Sequence, residues 1–152
     1  WDVHHGNGTQ DIFYKDNSVF YFSTHQSPWY PGTGAVNETG EGRGEGSTMN
    51  RPLPSGSGFK QIGPCFRDDF SKVMKNFKPD LILISAGFDS RLGDPLGHFT
   101  LTDDHFVELT KILLDIAYEH CKGRLVSMLE GGYNVEGLAS AVKSHLGQLM
   151  TA

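Results

Sequence analysis

The sequence predicts an α/β fold built on a parallel sheet, and three observations carry the prediction. Leu81-Ile-Leu-Ile84 is a continuous apolar run, as expected of a strand covered on both faces. Leu125-Val-Ser-Met-Leu129 is a second such run. Around them the apolar residues switch to helical spacing. Phe106, Leu109, Ile112, Leu113 and Ile116 mark a helix over Thr102–His120, and Leu138, Val142, Leu146 and Leu149 mark another over Val135–Leu149. Strand, helix, strand, helix in that order is the pattern of parallel strands joined by helical crossovers.

Upstream elements follow the same logic. Val19-Phe-Tyr-Phe-Ser23 is rich in β-formers and reads as a buried strand. From Pro28 to Pro64 the sequence predicts one long loop, with nine glycines between Gly32 and Gly63. A stretch of that length inside a compact domain is a functional loop or a linker. The aromatic pair Trp29 and Tyr30 at its start favours an ordered loop that lines a site. Phe66, Phe70, Val73, Met74 and Phe77 then predict an amphipathic helix stopping before Pro79.

Composition narrows the function classes. At 152 residues the chain has the length of one domain, and 38% hydrophobic residues suit a globular one. A net charge of −5 argues against binding to nucleic acid or to an anionic membrane, either of which calls for a basic patch. No apolar run has the length of a membrane span, and no signal-peptide pattern opens the chain. Cys65 and Cys121 lack metal-knuckle spacing, so the expected setting is reducing and cytoplasmic, or nuclear in a eukaryote.

Three short segments carry the chemistry. Asp2-Val-His-His-Gly-Asn-Gly8 places Asp2 and His4 on one side of an extended chain. Asp89 follows the Leu81–Ile84 strand, and Tyr133 follows the Leu125–Leu129 strand. Ligands in parallel α/β sheets bind beyond the carboxyl ends of strands, so these residues are expected to converge. Asp, His and Asp make a three-ligand set with open positions, the arrangement of a catalytic metal. Zinc suits it, and Fe(II) or Co(II) would also be admitted. Each residue alone has an ordinary explanation: Asp89 could cap a helix, and Tyr133 could be a turn residue.

Five ordered motifs resemble one family. Asp2-Val-His-His-Gly-Asn-Gly, Tyr30-Pro-Gly-Thr-Gly34, Ser85-Ala-Gly-Phe-Asp89, Asp94-Pro-Leu-Gly97 and Glu130-Gly-Gly-Tyr133 are similar, in that order, to zinc-dependent histone deacetylases and their bacterial amidohydrolase relatives. The phrase Asn37-Glu-Thr-Gly-Glu-Gly-Arg-Gly-Glu45 resembles the class II and bacterial branch. The resemblance implies a three-layer parallel-sheet arginase/deacetylase-like fold, with residues 1–152 its C-terminal part. It implies Asp2, His4 and Asp89 as zinc ligands and Tyr133 as the group stabilising the oxyanion when zinc-activated water attacks an acetyl amide. Tyr30, Leu96 and Trp29 would line a narrow channel for acetyl-lysine or an acetylpolyamine. A structural K+ or Na+ would be held by Asp2, His4, Ser23 and Thr24, and a second, less clearly, by Phe13 and Val19.

The family's general base is a histidine pair upstream of these motifs, and the sole His-His pair here, His4-His5, belongs to the metal motif. The chain alone is therefore expected to be inactive or nearly so. A truncated sheet would expose an apolar face or edge and invite homo-oligomers. His5 and His25 read as buried structural residues, and His98, His105, His120 and His145 as surface or helix residues without a role. The alternatives are a non-catalytic remnant that binds zinc or an acetylated ligand, and a sugar- or nucleotide-binding α/β protein whose aspartates only cap helices. A two-metal ureohydrolase of arginase type would not need Gly-Gly-Tyr.

Overall fold

A computed structural model describes residues 1–151. Two pairs of parallel strands organise it. Strand β1 (Tyr21–Gln26) pairs with β2 (Thr48–Leu53), and β3 (Ile82–Ala86) pairs with β4 (Leu125–Leu129). A short helix, α1 (Asn7–Phe13), precedes β1, and a helical run from Phe59 to Phe77 joins β2 to β3. Helix α4 (Asp103–Cys121) crosses from β3 to β4, and α5 (Val135–Leu149) follows β4. No described helix is long and apolar enough to cross a membrane.

The stretch from Pro28 to Pro64 is not one loop. It contains β2 and the first turn and a half of a helix, α2 (Phe59–Pro64). Thr48-Met-Asn-Arg-Pro-Leu53 carries no apolar alternation, and Pro52 argues against a strand. It is tolerated because β2 lies at the edge of its pair, where a missing N–H costs no ladder bond. Pro64 likewise hid the helix start. The run continues through it into a widened π turn (Cys65–Phe70) and then α3 (Ser71–Phe77), so proline removes one intrahelical bond without ending the helix. The aromatics of this run cover β1: Phe22 stacks on Phe70 at 4.8 Å and meets Phe66 edge-on at 5.0 Å.

The second pair packs on α4 and α5 through one face only. Ile82, Ile84 and Ala86 are buried, whereas Leu81, Leu83, Val126, Met128 and Leu129 are exposed. The expectation that both apolar runs are covered on both faces is thus corrected: among the described residues, no layer lies on the outer face. Helix α5 keeps Leu138 and Val142 against the core, as predicted, but its most buried stripe lies one position to the side. Gly137, Ala141 and His145 are its buried residues, and Leu146 is half exposed. Gly137 leaves room for the Arg91 side chain, and Ala141 and His145 fill the next positions on that face. His145 is 3% exposed, contrary to its reading as a residue without a role. Its Nδ1 donates to Thr110 Oγ1 at 2.7 Å, and its Nε2 accepts from Ser127 Oγ at 2.8 Å. Thr110 fixes that tautomer by donating its own proton to the Phe106 carbonyl.

Val3 ties the two halves together. Its carbonyl accepts from Gln26 N of β1 at 2.8 Å, and its amide donates to Asp89 Oδ1 at 2.8 Å. Residues of β1 and of β3 line one continuous cleft, with Asp2 and His4 on its wall.

Candidate metal centre

Asp2, His4 and Asp89 converge. One ligand atom from each lies within 4.8 Å of the other two, although Asp89 is more than eighty positions away in sequence. His4 Nδ1 stands 3.2 Å from Asp2 Oδ1 and 3.1 Å from Asp89 Oδ2. The turn holds itself: Asp2 Oδ1 accepts from the His4 amide at 2.8 Å. Two glycines make room for the carboxylates. A Cβ at Gly87 would overlap the Asp2 carboxylate, and one at Gly131 would overlap that of Asp89. The glycines of Ser85-Ala-Gly-Phe-Asp89 and Glu130-Gly-Gly-Tyr133 are therefore sites of close approach, not loop filler.

The electrostatics point to a cation. Burial, then the neighbouring Asp2 charge, push the Asp89 carboxyl up. Burial opposes the Asp2 charge too, but the hydrogen bonds from the His4 ring and amide outweigh it and hold Asp2 down. The His4 imidazole is pushed up to about 10, first by Asp2 and then by Asp89. Two carboxylates and one imidazole nitrogen, drawn together without a lysine or arginine among them, form a donor set that fits a divalent metal of the zinc, iron or cobalt kind.

The other predicted residues lie along the same cleft. Tyr133, Tyr30, Leu96 and Trp29 line the cleft that contains Asp2 and His4. The Tyr30 ring meets the His4 ring edge-on at 6.2 Å, and Trp29 Nε1 donates to the Leu96 carbonyl at 3.0 Å. The Tyr133 hydroxyl is pushed above its ordinary value by burial, then by Asp89, Asp2 and Asp94. Ser23 and Thr24 lie on β1, which Val3 joins at Gln26. Ser23 Oγ is hydrogen-bonded to His25 Nδ1 at 3.0 Å, and Thr24 is buried. Phe13 ends α1, where its carbonyl accepts from Asp16 N at 3.0 Å, and Val19 lies in the turn leading to β1. His5 and His25 are buried, as expected.

Asp94 has a role that its motif alone does not reveal. Its Oδ2 accepts from Tyr133 N at 2.7 Å and Asn134 N at 3.3 Å, and its Oδ1 from Leu96 N at 2.9 Å. One carboxylate thus fixes both the tyrosine turn and the Leu96 wall. Asn134 continues the clamp by capping α5, its Oδ1 accepting from Gly137 N at 3.0 Å. The Asp-Pro turn at Asp94 was the available signal, since an aspartate there bonds backbone amides nearby.

Comparison with known proteins places this geometry. The histone deacetylase domain family matches residues 1–149. Histone deacetylase 10, chloroplastic, of Oryza sativa subsp. japonica is 48% identical over 142 residues, 93% of this chain and 32% of that protein. A probable deacetylase of Archaeoglobus fulgidus is 48% identical over 137 residues, 90% of this chain and 38% of its own length. The crystal structure of the HDA15 HD domain superposes with a TM-score of 0.93 at 39% identity, covering 99% of this chain and 42% of that one. The chain thus spans about a third of the length of the curated relatives it matches.

Proposed function

Because the chain belongs to the histone deacetylase domain family, we propose that Asp2, His4 and Asp89 hold a divalent cation, zinc in the first place, at a site built to hydrolyse an acetyl amide of lysine or of a polyamine. The observation that carries this reading is the convergence of that triad on the wall of a cleft that Tyr133, Tyr30 and Leu96 also line. A bound cation would supply Lewis acidity and lower the pKa of a coordinated water. The chain's own residues would do the rest. Tyr133 would donate a hydrogen bond to the oxygen that gathers charge as the carbonyl is attacked, help typically worth ~10²–10³ in rate. Asp94 would keep that tyrosine in place through its backbone. Tyr30, Leu96 and Trp29 would exclude water from a thin, mostly apolar arm. Asp2, His4, Ser23 and Thr24 would hold a monovalent cation beside the first.

Proton abstraction sets the limit. The two imidazoles behind the triad are engaged: His5 bonds Thr33 and Gln10, and His25 bonds Ser23 and the Gly34 carbonyl. Neither is free to take a proton from water, and a general base typically contributes ~10²–10⁴ in rate. We therefore read residues 1–152 as the C-terminal part of a larger catalytic domain, able to bind metal but nearly inactive alone. A second reading, a non-catalytic binder of zinc or an acetylated ligand, draws on the same engaged imidazoles. Metal analysis of the dialysed chain and of Asp89→Ala tests the first step. One zinc per chain, lost in the variant, is expected, and a metal-free wild-type chain would overturn the reading. Turnover of an acetyl-lysine peptide by pure, monomeric chain would overturn the limit on activity.

A further inference from the structure

Behind the triad a partly buried polar chain runs from the turn bearing His4 to the glycine loop. Gln10 on α1 is its centre. Its Nε2 donates to Glu38 Oε2 at 2.6 Å, and its Oε1 accepts from Asn50 Nδ2 of β2 at 2.7 Å and from His5 Nε2 at 2.9 Å. A carboxylate accepts only, so the nitrogen of Gln10 must face Glu38 and its oxygen must face His5. His5 therefore carries its proton on Nε2, and its Nδ1 accepts from Thr33 Oγ1 at 2.8 Å. Glu38 closes the circuit. Its Oε2 also accepts from Gly34 N at 3.1 Å, and its Oε1 from Ala35 N at 3.0 Å. Gly34 has φ +85°, and a Cβ there would fall 2.6 Å from His25 Cε1 and 2.7 Å from His5 Cδ2. Only glycine lets the loop lie this close.

This circuit matters because the loop's other anchors lie only at its two ends, where Trp29 bonds the Leu96 carbonyl and His25 the Gly34 carbonyl. Tyr30, the residue that meets His4, is 77% exposed, so its own packing cannot fix its position. We propose that Glu38 is a positioning residue: its carboxylate clasps the Tyr30–Gly34 loop to the turn bearing His4, and so sets the channel wall beside the metal. The inference rests on the deacetylase reading for what the channel receives, but not for the clasp itself. It assigns a task to Asn37-Glu-Thr-Gly and to the threonine of Tyr30-Pro-Gly-Thr-Gly34, residues the proposed chemistry leaves idle. Burial opposes ionisation of Glu38, yet the bonds from Ala35, Gln10 and Gly34 hold it below the usual carboxylate range.

The test uses the full chain and four variants: Glu38→Gln, Thr33→Val, Thr33→Ser and, as a control in the same loop region, the exposed Glu41→Gln. Amide exchange by NMR is the first readout. Glu38→Gln and Thr33→Val are expected to speed exchange at Gly34 and Ala35 about tenfold or more, with α4 unchanged. Thr33→Ser, which keeps the hydroxyl, and Glu41→Gln should match the wild type. The second readout is binding, of zinc alone and then of Nε-acetyl-lysine methylamide to the zinc-loaded chain. Zinc affinity should hold within about twofold while the amide weakens several-fold, since the loop and not the triad has moved. Unchanged loop exchange in both Glu38→Gln and Thr33→Val would overturn the clasp. So would exchange rising equally throughout the chain, which marks general destabilisation. If the wild type binds neither zinc nor the amide, the deacetylase reading falls, and the exchange measurement still decides the clasp.

Discussion

The two halves of the molecule position their functional residues by different physics. In the β3–β4 half, Asp89 and Tyr133 sit at the ends of strands packed on α4 and α5, over Phe88, Phe106, Leu109 and Ala141, all buried. In the β1–β2 half, Tyr30 sits on a loop held by hydrogen bonds among His5, Gln10, Glu38 and Asn50. Apolar packing is non-directional and spreads its effect through a whole core, whereas hydrogen bonds act on the few atoms they join. The metal wall thus rests on the global stability of the fold, and the channel wall rests on a local circuit.

The largest break in that contrast should come from Phe106→Ala. Phe106 is fully buried and touches Trp1 and Phe88, with ring centroids 6.1 Å and 5.0 Å away. Truncating such a ring typically costs ~3–5 kcal/mol. Thermal unfolding should show a lowered Tm, and zinc binding should fall with it because Asp89 loses its support. A stable variant with intact metal affinity would mean the halves are less unequal than their packing implies.

How far the sequence foresaw this division follows from the same physics. The β3–β4 half was legible because its elements announce themselves by local pattern: Leu81–Ile84, Leu125–Leu129 and the apolar spacing of α4. The convergence of Asp2, His4 and Asp89 was legible because those residue types suit a metal and Asp89 follows a strand. The β1–β2 half was legible only in part, since Val19–Ser23 reads as the strand that becomes β1 but its partner strand does not show. Thr48–Leu53 becomes a strand only by pairing with β1, a contact no local window reveals, and Pro64 masks a helix that runs through it. Glu38 and Gln10 show no pattern of their own, because a hydrogen-bond circuit among five segments has no period. Even in the legible half, the outward faces of Leu83 and Met128 depend on what lies across the sheet.

His145 is a buried polar group inside the apolar half. Burial lowers its pKa to about 4, against an ordinary value near 6.5. Between those values the unfolded chain takes up a proton that the folded chain refuses. Stability is then fully present above pH ~6.5 and declines as the pH falls toward about 4, by on the order of 2–3 kcal/mol. Denaturant titrations across that window should show the slope, and His145→Gln should reduce it to the share that His25, also pushed down to about 4 by burial, contributes. An equal slope in the variant would assign it to other groups.

Asn50→Ala probes the polar side with a smaller effect. Asn50 is fully buried, and its Nδ2 serves both Gln10 and the Glu38 carbonyl, the latter at 3.3 Å. Removing it should cost ~1–3 kcal/mol, less than Phe106→Ala. Loop exchange near Gly34 should rise while α4 stays protected. A loss as large as that of Phe106→Ala, spread through α4, would show that the two halves unfold as one and that the polar circuit is not local.

Leu83→Lys should change stability least and association most. Leu83 is 60% exposed on the outer face of β3, beside exposed Val126 and Met128 on β4. A charge there buries nothing, so its effect on unfolding should stay within ~0.5 kcal/mol. An uncovered apolar face is, however, the surface on which copies of the chain would meet. Sedimentation should therefore show self-association of the wild type that the lysine disperses, with zinc binding untouched, because Asp89 is held from the opposite, packed face. A wild type that stays monomeric at high concentration would remove the outer face as a site of association. The inequality between the halves would then lie wholly in how each supports its loops.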